Sequence, residues 1–379
     1  MPRLLKVAAA VALVSLLPTL ASAAALTPGN LFVYRVGATG GGVLAGTATP
    51  VFIDEFTTAG VLVQSLAMPT TASGLNGSLT GSGTATSDGY LSVSGNGQYL
   101  MLTGYDTPIG TAGNVVSNAL ARTVGRLALD GTLDTTTRLT DTGTGTNNFR
   151  SVASTNGTDL WVTTATGSVR STTLGSTTST QLSTSPTNTR TVGIANNQLY
   201  ITSGSGTTRM ATVGTGLPTT AGQTITNLAG FPTGTPVASS PYGFFFADLS
   251  SAVPGQDTLY VADDGVGGGL QKYSLNGGTW TLKGVVGVDA DDYRGLTGVV
   301  NGSSVSLFAT IGGNKLVSLT DTAGYDATFS SSSVATLATS GANTAFRGVA
   351  VLAVPEPGTW ALMLGGLALV AGLARRARG

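Results

Sequence analysis

Residues 149–162 read FRSVASTNGTDLWV, and this stretch decides the fold. An aromatic residue and an arginine open a short apolar run, Asn156 and Gly157 follow, and a second apolar run begins at Leu160. Asn-Gly between two apolar runs is a strong signal for a β-hairpin, because both residues tolerate the positive φ of a tight turn. The stretch therefore predicts two adjacent antiparallel strands.

The same unit recurs along the chain. Further copies begin at Tyr90, Arg190, Arg294 and, in degenerate form, Tyr242, and a last copy at Arg347 has no second strand after it. Counted between Tyr90, Arg150, Arg190, Phe245, Arg294 and Arg347, successive copies lie 60, 40, 55, 49 and 53 residues apart, which leaves room for four short strands in each. This spacing is typical of propeller blades. We predict an all-β, six-bladed β-propeller, with seven blades as the alternative if residues 207–241 hide another.

The two ends of the body complement each other. Apolar runs at 31–34, 51–56 and 61–66 lack an inner partner, whereas the copy at 346–352 lacks outer strands. Joined, they make one composite blade that closes the ring and leaves few open sheet edges. Outer strands are expected at 125–129 and 271–275.

Composition limits the function. Only 9% of the 379 residues are charged, against about 25% in typical globular proteins. Without the charged residues of the two ends (Arg3, Lys6, Glu356, Arg375, Arg376 and Arg378), 13 basic residues face 17 acidic ones. A mildly acidic body argues against nucleic acid as a partner, since binding phosphates requires a basic surface.

The chain contains no histidine and no cysteine. These absences exclude disulfides, a Ser-His-Asp triad, imidazole metal sites and thiolate chemistry. Only two glutamates exist, Glu55 and Glu356, and Asp54 beside Glu55 should point to the opposite face of its strand. The sequence therefore offers no paired carboxylates for acid–base catalysis, and we expect no cofactor.

The N-terminus has the three parts of a secretory signal peptide. Arg3 and Lys6 are followed by an apolar run over 7–17, and Ala21-Ser22-Ala23 gives a small-residue cleavage pattern. We predict a signal helix over 1–23 that signal peptidase removes after Ala23, with Ala25 as an alternative site. An uncleaved membrane helix is less favoured, because about 11 apolar residues are too few to span a bilayer comfortably.

The C-terminus combines a short motif, an apolar run and a basic end. Val354-Pro355-Glu356-Pro357 precedes an uncharged run over 359–374, which ends at Arg375, Arg376 and Arg378. At about 1.5 Å per residue such a helix would extend roughly 24 Å, which is short for a permanent anchor. We predict a transmembrane helix over 359–374 with its arginines in the cytoplasm.

This tail resembles the PEP-CTERM sorting signal of Gram-negative bacteria, a region also filed as an ice-binding-protein C-terminal domain. The resemblance covers residues 354–379 and implies processing by an exosortase at the Pro-Glu-Pro region. The precursor would be tethered to the inner membrane, and the mature body, 24–353, would be released or transferred to the cell surface. A simple tail-anchored periplasmic protein is the alternative.

Two sets of residues are candidate sites. Four arginines that open inner strands could present positive charge to the central channel and bind an anionic ligand such as an acidic exopolysaccharide: Arg150, Arg190, Arg294 and Arg347. Alternatively, each caps a turn or pairs with an acidic neighbour. Two acidic clusters are weak calcium candidates, although neither has the EF-hand spacing: Asp263 with Asp264, and Asp289 with Asp291 and Asp292.

The sequence favours an exported, non-enzymatic module that binds or supports material at the cell surface or in the extracellular matrix. A carbohydrate-active lyase or hydrolase that uses Asp, Arg and Tyr side chains of the channel is the alternative hypothesis.

Overall fold

The computed structural model describes residues 24–118, 121–142, 147–232, 239–329 and 333–353. The predicted signal helix over 1–23 and the predicted membrane helix over 359–374 lie outside these residues. Within them, the helical elements are the single turns Val115–Asn118 and Asp289–Asp291. No helix in the described part is long and apolar enough to cross a membrane.

Six four-stranded antiparallel sheets form the six blades of a β-propeller, which confirms the predicted fold class. We number the blades along the chain and give the strands of each from the channel outward. Blade 1 contains Ser92–Val93, Tyr99–Tyr105, Arg122–Ala128 and Leu133–Leu139. Blade 2 contains Phe149–Ser154, Asp159–Thr164, Ser168–Thr173 and Thr180–Gln181. Blade 3 contains Thr189–Ala195, Gln198–Ser203, Met210–Val213 and Ile225–Asn227.

The remaining blades follow the same order. Blade 4 contains Pro241–Ala247, Thr258–Asp263, Gly269–Asn276 and Thr279–Val286. Blade 5 contains Gly295–Asn301, Ser304–Ile311, Lys315–Asp321 and Ala335–Thr339. Blade 6 contains Ala345–Val351, Leu31–Val36, Val51–Phe56 and Leu62–Ala67. A small additional pair joins Ala48–Thr49 to Gly81–Ser82.

Residues 207–241 hold no separate blade in their described part. Instead they supply Met210–Val213 and Ile225–Asn227, the third and outer strands of blade 3. The long spacing reflects loops between short strands, so the seven-bladed alternative is wrong.

Blade 6 is the predicted composite blade. Its inner strand comes from the C-terminal part of the body and pairs antiparallel with Leu31–Val36 from the N-terminal part. In this register Val351 lies opposite Leu31, Leu31 opposite Phe56, and Phe56 opposite Leu62. Both ends of the body therefore close the ring together.

The predicted hairpin turns are present between inner and second strands. Asn196 and Asn197 have φ values of 45° and 56°, and Gly302 has a φ of 64°. Positive φ at these positions matches the right-handed twist of the strands, which explains the choice of Asn and Gly. The inner strands all begin at one face of the propeller, here the upper face, and end at the opposite, lower face.

The hydrophobic core lies between neighbouring blades. Blades 5 and 6, for example, share a cluster in which Phe56 packs edge-on against Phe346, with ring centroids 6.1 Å apart. Leu31, Val33 and Leu316 in this cluster have no exposed surface. Alternation along each strand buries apolar side chains on both sides of a blade, because each blade is covered by two neighbours.

Candidate functional site

Each inner strand contributes one large polar or charged residue near its start, and the six together form what we call the channel ring. Its members are Tyr90, Arg150, Arg190, Tyr242, Arg294 and Arg347. The ring includes all four arginines that the sequence singled out. Tyr90 interacts electrostatically with Arg294, Arg190 and Arg150, so the structure brings residues from different blades together at the axis.

Threonines at the ends of second strands hold the ring backbone in place. Thr103, Thr163 and Thr202 donate hydroxyl hydrogen bonds to the carbonyl oxygens of Arg150, Arg190 and Tyr242 in the next blade, at 3.1, 2.9 and 2.9 Å. Thr310 donates in the same way to Arg347. Sequence reasoning missed these residues.

The signal for these threonines is nevertheless visible in the sequence. Three of the apolar runs end LMLT103, LWVT163 and LYIT202. Blade 4 departs from the pattern, because Ala262 stands at the equivalent position. There the backbone N–H of Gly243 donates directly to the carbonyl of Arg294, at 2.9 Å.

Two tyrosines from opposite blades meet in the middle of the ring. The ring centroids of Tyr90 and Tyr242 are 5.8 Å apart, with planes tilted by 36°. Burial raises the pKa of Tyr90 well above its ordinary value, and its hydroxyl has no hydrogen-bond partner among the described residues. The pair narrows the channel at this level.

One half of the ring is neutralised by direct ion pairs. Asp264 accepts a hydrogen bond from Nε of Arg294 at 2.8 Å and lies 4.0 Å from Nη1 of Arg190. The Arg190 guanidinium also stacks on Tyr242, with its carbon 3.8 Å from the ring centroid. Burial lowers the pKa of Arg190 to about 10, while Asp264 opposes this shift.

The other half is arranged around a buried carboxylate without direct ion pairs. Asp88 accepts a hydrogen bond from the Tyr105 hydroxyl at 2.6 Å. Burial raises the pKa of Asp88 to about 6, although this hydrogen bond and the charges of Arg150 and Arg347 act in the opposite direction. Arg150 donates from Nη1 to Asn188 and to the carbonyl of Thr189, at 2.7 and 3.0 Å.

Several guanidinium donors of the ring lack an acceptor. The Nε atoms of Arg150, Arg190 and Arg347, and Nη1 of Arg190, are buried without a hydrogen-bond partner among the described residues. Arg347 uses Nη2 to donate to the carbonyl of Gly83, at 3.1 Å. Arg150 and Arg347 are 6% and 5% exposed, so bulk water does not satisfy these groups.

Two small pockets border Arg347. The first is lined by Asp88, Tyr105 and Tyr34, among others, and the second by Arg294, Thr86 and Asp292 at the upper face. Each has space for about one water molecule. Either pocket can accept a small polar group, but neither has room for a whole sugar ring.

The calcium candidates are used in local contacts. Asp263 is fully buried and accepts hydrogen bonds from Ser239, Ser240 and Gly265, at 2.5 to 2.8 Å. Asp289 and Asp291 belong to the short 3₁₀ turn before Arg294, and Asp292 lies 3.6 Å from that arginine. No group of three carboxylates that could hold a metal ion occurs in the described ranges.

Asp54 and Glu55 make contacts on separate sides of their strand. Asp54 pairs with Arg35 at 2.5 Å, whereas Glu55 accepts hydrogen bonds from Asn30 and Gln64, both at 2.6 Å. Both carboxylates are buried. Their roles are structural contacts within the composite blade.

The candidate processing sites fall outside the described residues. These are Ala21 and Ala23, the motif Val354, Pro355, Glu356 and Pro357, and the basic end Arg375, Arg376 and Arg378. Residues 353–378 match the family model described as the PEP-CTERM protein-sorting motif.

The chain carries a PEP-CTERM sorting motif. This match confirms the resemblance drawn from Val354-Pro355-Glu356-Pro357 and supports an exported protein that an exosortase sorts. The PEP-CTERM motif also implies a precursor anchored in the membrane, and it covers the end of the chain only.

The body is similar to solved propellers in its fold alone. A chain of a nidogen/laminin complex is 14% identical over 85% of this chain and 98% of its own length, with a TM-score of 0.51. A putative 6-phosphogluconolactonase from Bacteroides uniformis is 13% identical over 80% of this chain and 82% of its own, with a TM-score of 0.45. The periplasmic gluconolactonase PpgL of Pseudomonas aeruginosa is 13% identical over 82% and 83%, with a TM-score of 0.44. A comparison with curated protein sequences finds no match.

Proposed function

We propose that this PEP-CTERM protein is a non-enzymatic binding and structural module of the cell surface or extracellular matrix, and that its channel ring binds an acidic exopolysaccharide. One observation carries the proposal: buried N–H groups of Arg150, Arg190 and Arg347 lack an acceptor among the described residues. A buried donor without a partner costs about 1–3 kcal/mol. A ligand that supplies acceptors recovers this free energy on binding.

The charge of the ring defines the chemistry of the ligand. Four arginines interact with three acidic residues, Asp88, Asp264 and Asp292, so positive charge is in excess at the axis. A guanidinium presents its donors in a planar fork that fits a carboxylate or a sulfate. Uronic acids and sulfated sugars are the polysaccharide units that carry such groups.

The small size of the channel pockets limits how much of a polysaccharide can reach the ring. The pocket at the upper face reaches Arg294 and Arg347 but has room for about one water molecule. The tyrosine pair narrows the channel at the level of the ring. We therefore propose that the polymer lies across the upper face and inserts a single charged group.

Binding of alginate, with neutral dextran as the comparison, tests this function. Arg150→Gln and Arg347→Gln each remove donors that face the channel, and each is expected to weaken alginate binding about 10-fold or more. Arg126→Gln is the matched control, since Arg126 pairs with Asp134 at 3.2 Å in blade 1. Melting temperatures of all three variants establish that they fold. Unchanged alginate binding together with reduced stability would show that the arginines are structural.

Processing is tested separately from binding. We propose that signal peptidase cuts after Ala23 and that an exosortase removes the segment beyond Pro-Glu-Pro. Mass spectrometry of the protein from its native host measures both ends at once. A cytosolic product that retains residues 1–23 and 359–379 would contradict the surface location.

A polysaccharide lyase or hydrolase is the second candidate. The first pocket favours it, because Asp88 with a pKa of about 6 and Tyr105 lie beside Arg347 there. It ranks below binding because the pocket is small and because burial raises the pKa of Tyr105, which disfavours its use as a base. Turnover of alginate that Tyr105→Phe abolishes, in a variant that still folds, would make this candidate the better one.

A further inference from the structure

The sorting tail leaves the propeller from the lower face. The inner strand of blade 6 ends at Val351, in the row that also contains Leu31, Phe56 and Leu62. Leu352 is buried, and its carbonyl accepts a hydrogen bond from Gly29 at 2.7 Å, which fixes the position of the chain up to this point. The PEP-CTERM match begins at the next residue, 353.

Exposed apolar side chains lie at the same end of blades 5 and 6. Along the outer strand of blade 6, Val61, Leu62 and Val63 are 62%, 53% and 50% exposed. Blade 5 adds Val300 at the end of its inner strand and Val334 before its outer strand, which are 39% and 37% exposed. We call these five residues the lower apolar patch.

The two blades join at this end. The turn at Gly60 lies against the backbone of Leu337 in blade 5, so closely that a Cβ atom on Gly60 would be 2.3 Å from the Leu337 carbonyl oxygen. The core cluster between the blades includes Val299, Leu337 and Val351 just inside this surface. The patch therefore rests on a packed and well-defined part of the fold.

Most lower turns of these blades carry no charge; the exception is the connection between the third and outer strands of blade 5, where Asp326 is 41% exposed and pairs with Lys283 at 2.6 Å. Residues 24–30, 57–61, 301–304 and 352–353 contain no Asp, Glu, Lys or Arg. The upper face is different, since Asp264, Asp292 and Arg294 lie around the channel mouth. An apolar surface with so few charges loses little hydration when it meets the boundary between headgroups and acyl chains.

The tether between body and membrane is short. Five residues, 354–358, separate Ala353 from the predicted membrane helix that begins at Thr359. Even fully extended, five residues reach about 17 Å. In a membrane-anchored precursor the lower face of blade 6 must therefore stay close to the bilayer.

We infer that in the precursor the lower apolar patch contacts the membrane interface, and that the channel ring faces away from it. Exposed apolar side chains that gather at one end of neighbouring blades mark an interaction surface, and the bilayer is the partner that the tail holds at this one. The inference rests on the sorting motif and not on the polysaccharide. In this orientation the arginine-lined mouth is open to ligands before the tail is cut.

Lipid quenching of a single fluorophore tests this orientation. The chain has no cysteine, so an introduced one is labelled selectively. The full-length precursor is reconstituted in vesicles of phosphatidylethanolamine and phosphatidylglycerol that contain a doxyl-labelled lipid, with the probe on Leu62→Cys. The control is Val266→Cys, which is 75% exposed in a loop of the upper face. We expect several-fold stronger quenching at position 62, and equal quenching at both positions would overturn the inference.

A second variant separates contact by the patch from simple tethering. Val61→Asp places a charge in the patch at an exposed site, and it is expected to reduce quenching at position 62 to the level at 266 while the precursor stays membrane-bound. Unchanged quenching would show that the patch does not contribute. A second copy of the chain is the other possible occupant of the patch. In that case the fluorescence of the probe at position 62 would change with the ratio of protein to lipid but would not be quenched by the doxyl lipid, and the proposed lipid contact would be wrong. Alginate binding by the arginine variants is measured independently, so either proposal can fail alone.

Discussion

The two halves of the channel ring balance the charge of their buried arginines in different ways. Around Asp264, two arginines are neutralised by direct contacts of 2.8 and 4.0 Å and by stacking on Tyr242. Around Asp88, Arg150 and Arg347 act on the carboxylate only through space, and their Nε donors have no acceptor in the described part of the chain. The first half holds its arginines by direct contacts with a carboxylate, although Nε and Nη1 of Arg190 lack a hydrogen-bond acceptor there, whereas the second half has no direct ion pair.

Asp264→Ala should have the largest effect on stability. Arg190 and Arg294 keep only 12% and 18% of their side-chain surface exposed, so removal of Asp264 leaves the charge of Arg190 without its carboxylate and leaves Arg294 with the 3.6 Å contact to Asp292. Breaking a buried pair costs about 3–5 kcal/mol, and we expect about 3 kcal/mol here. Urea denaturation of the exported body measures it, with Asp134→Ala at a half-exposed ion pair as the control. A loss no greater than that of the control would show that the two halves do not differ.

Asp88→Asn should act in the opposite direction. The folded-state pKa of Asp88, about 6, lies above its ordinary value of 3.8, so ionisation of this group disfavours folding. Ionisation of Asp88 lowers the free energy of unfolding. This loss is absent below pH 3.8, grows as the pH rises to about 6 and is complete above that, where it amounts to roughly 2–3 kcal/mol.

The measurement is stability as a function of pH for both proteins. Asp88→Asn should be at least as stable as the parent at pH 7 and should lack the loss between pH 4 and 7 that this carboxylate causes. Its amide oxygen can still accept from Tyr105, so the nearby contact is kept. A variant that is destabilised at pH 7 as strongly as Asp264→Ala would remove the distinction between the halves.

The smallest effect is expected from the scaffold beneath the ring. Thr103→Val removes the hydroxyl that supports Arg150, and Thr163→Val removes the one that supports Arg190. Each change should cost about 1–2 kcal/mol, since each removes a buried hydroxyl with little change in side-chain volume. The Thr163 hydroxyl is also hydrogen-bonded to that of Ser151, at 2.8 Å. Equal losses would locate the difference between the halves in their side-chain charges. A much larger loss for either variant would place it in the backbone support instead.

The repeated hairpin unit was enough to predict the propeller, its six blades and the composite blade, because Asn-Gly turns and strand spacing are local signals. The four arginines were also identified, since they recur at the start of inner strands. The sequence did not show which carboxylates surround each arginine. Asp88 precedes a two-residue inner strand and carries no repeat signal, and Asp264 was taken for a calcium candidate because its arginine partners lie 30 or more residues away. Only the closed ring brings such groups together.

Composite blade 6 has a consequence for export. During secretion the strands Leu31–Val36, Val51–Phe56 and Leu62–Ala67 emerge first, yet their partner Ala345–Val351 emerges last. The strand that closes the ring is therefore exported last, and it ends two residues before the sorting motif begins. A prematurely terminated chain lacks both the closing strand and the motif. Export of the last part of the chain therefore allows the ring to close and the protein to be sorted.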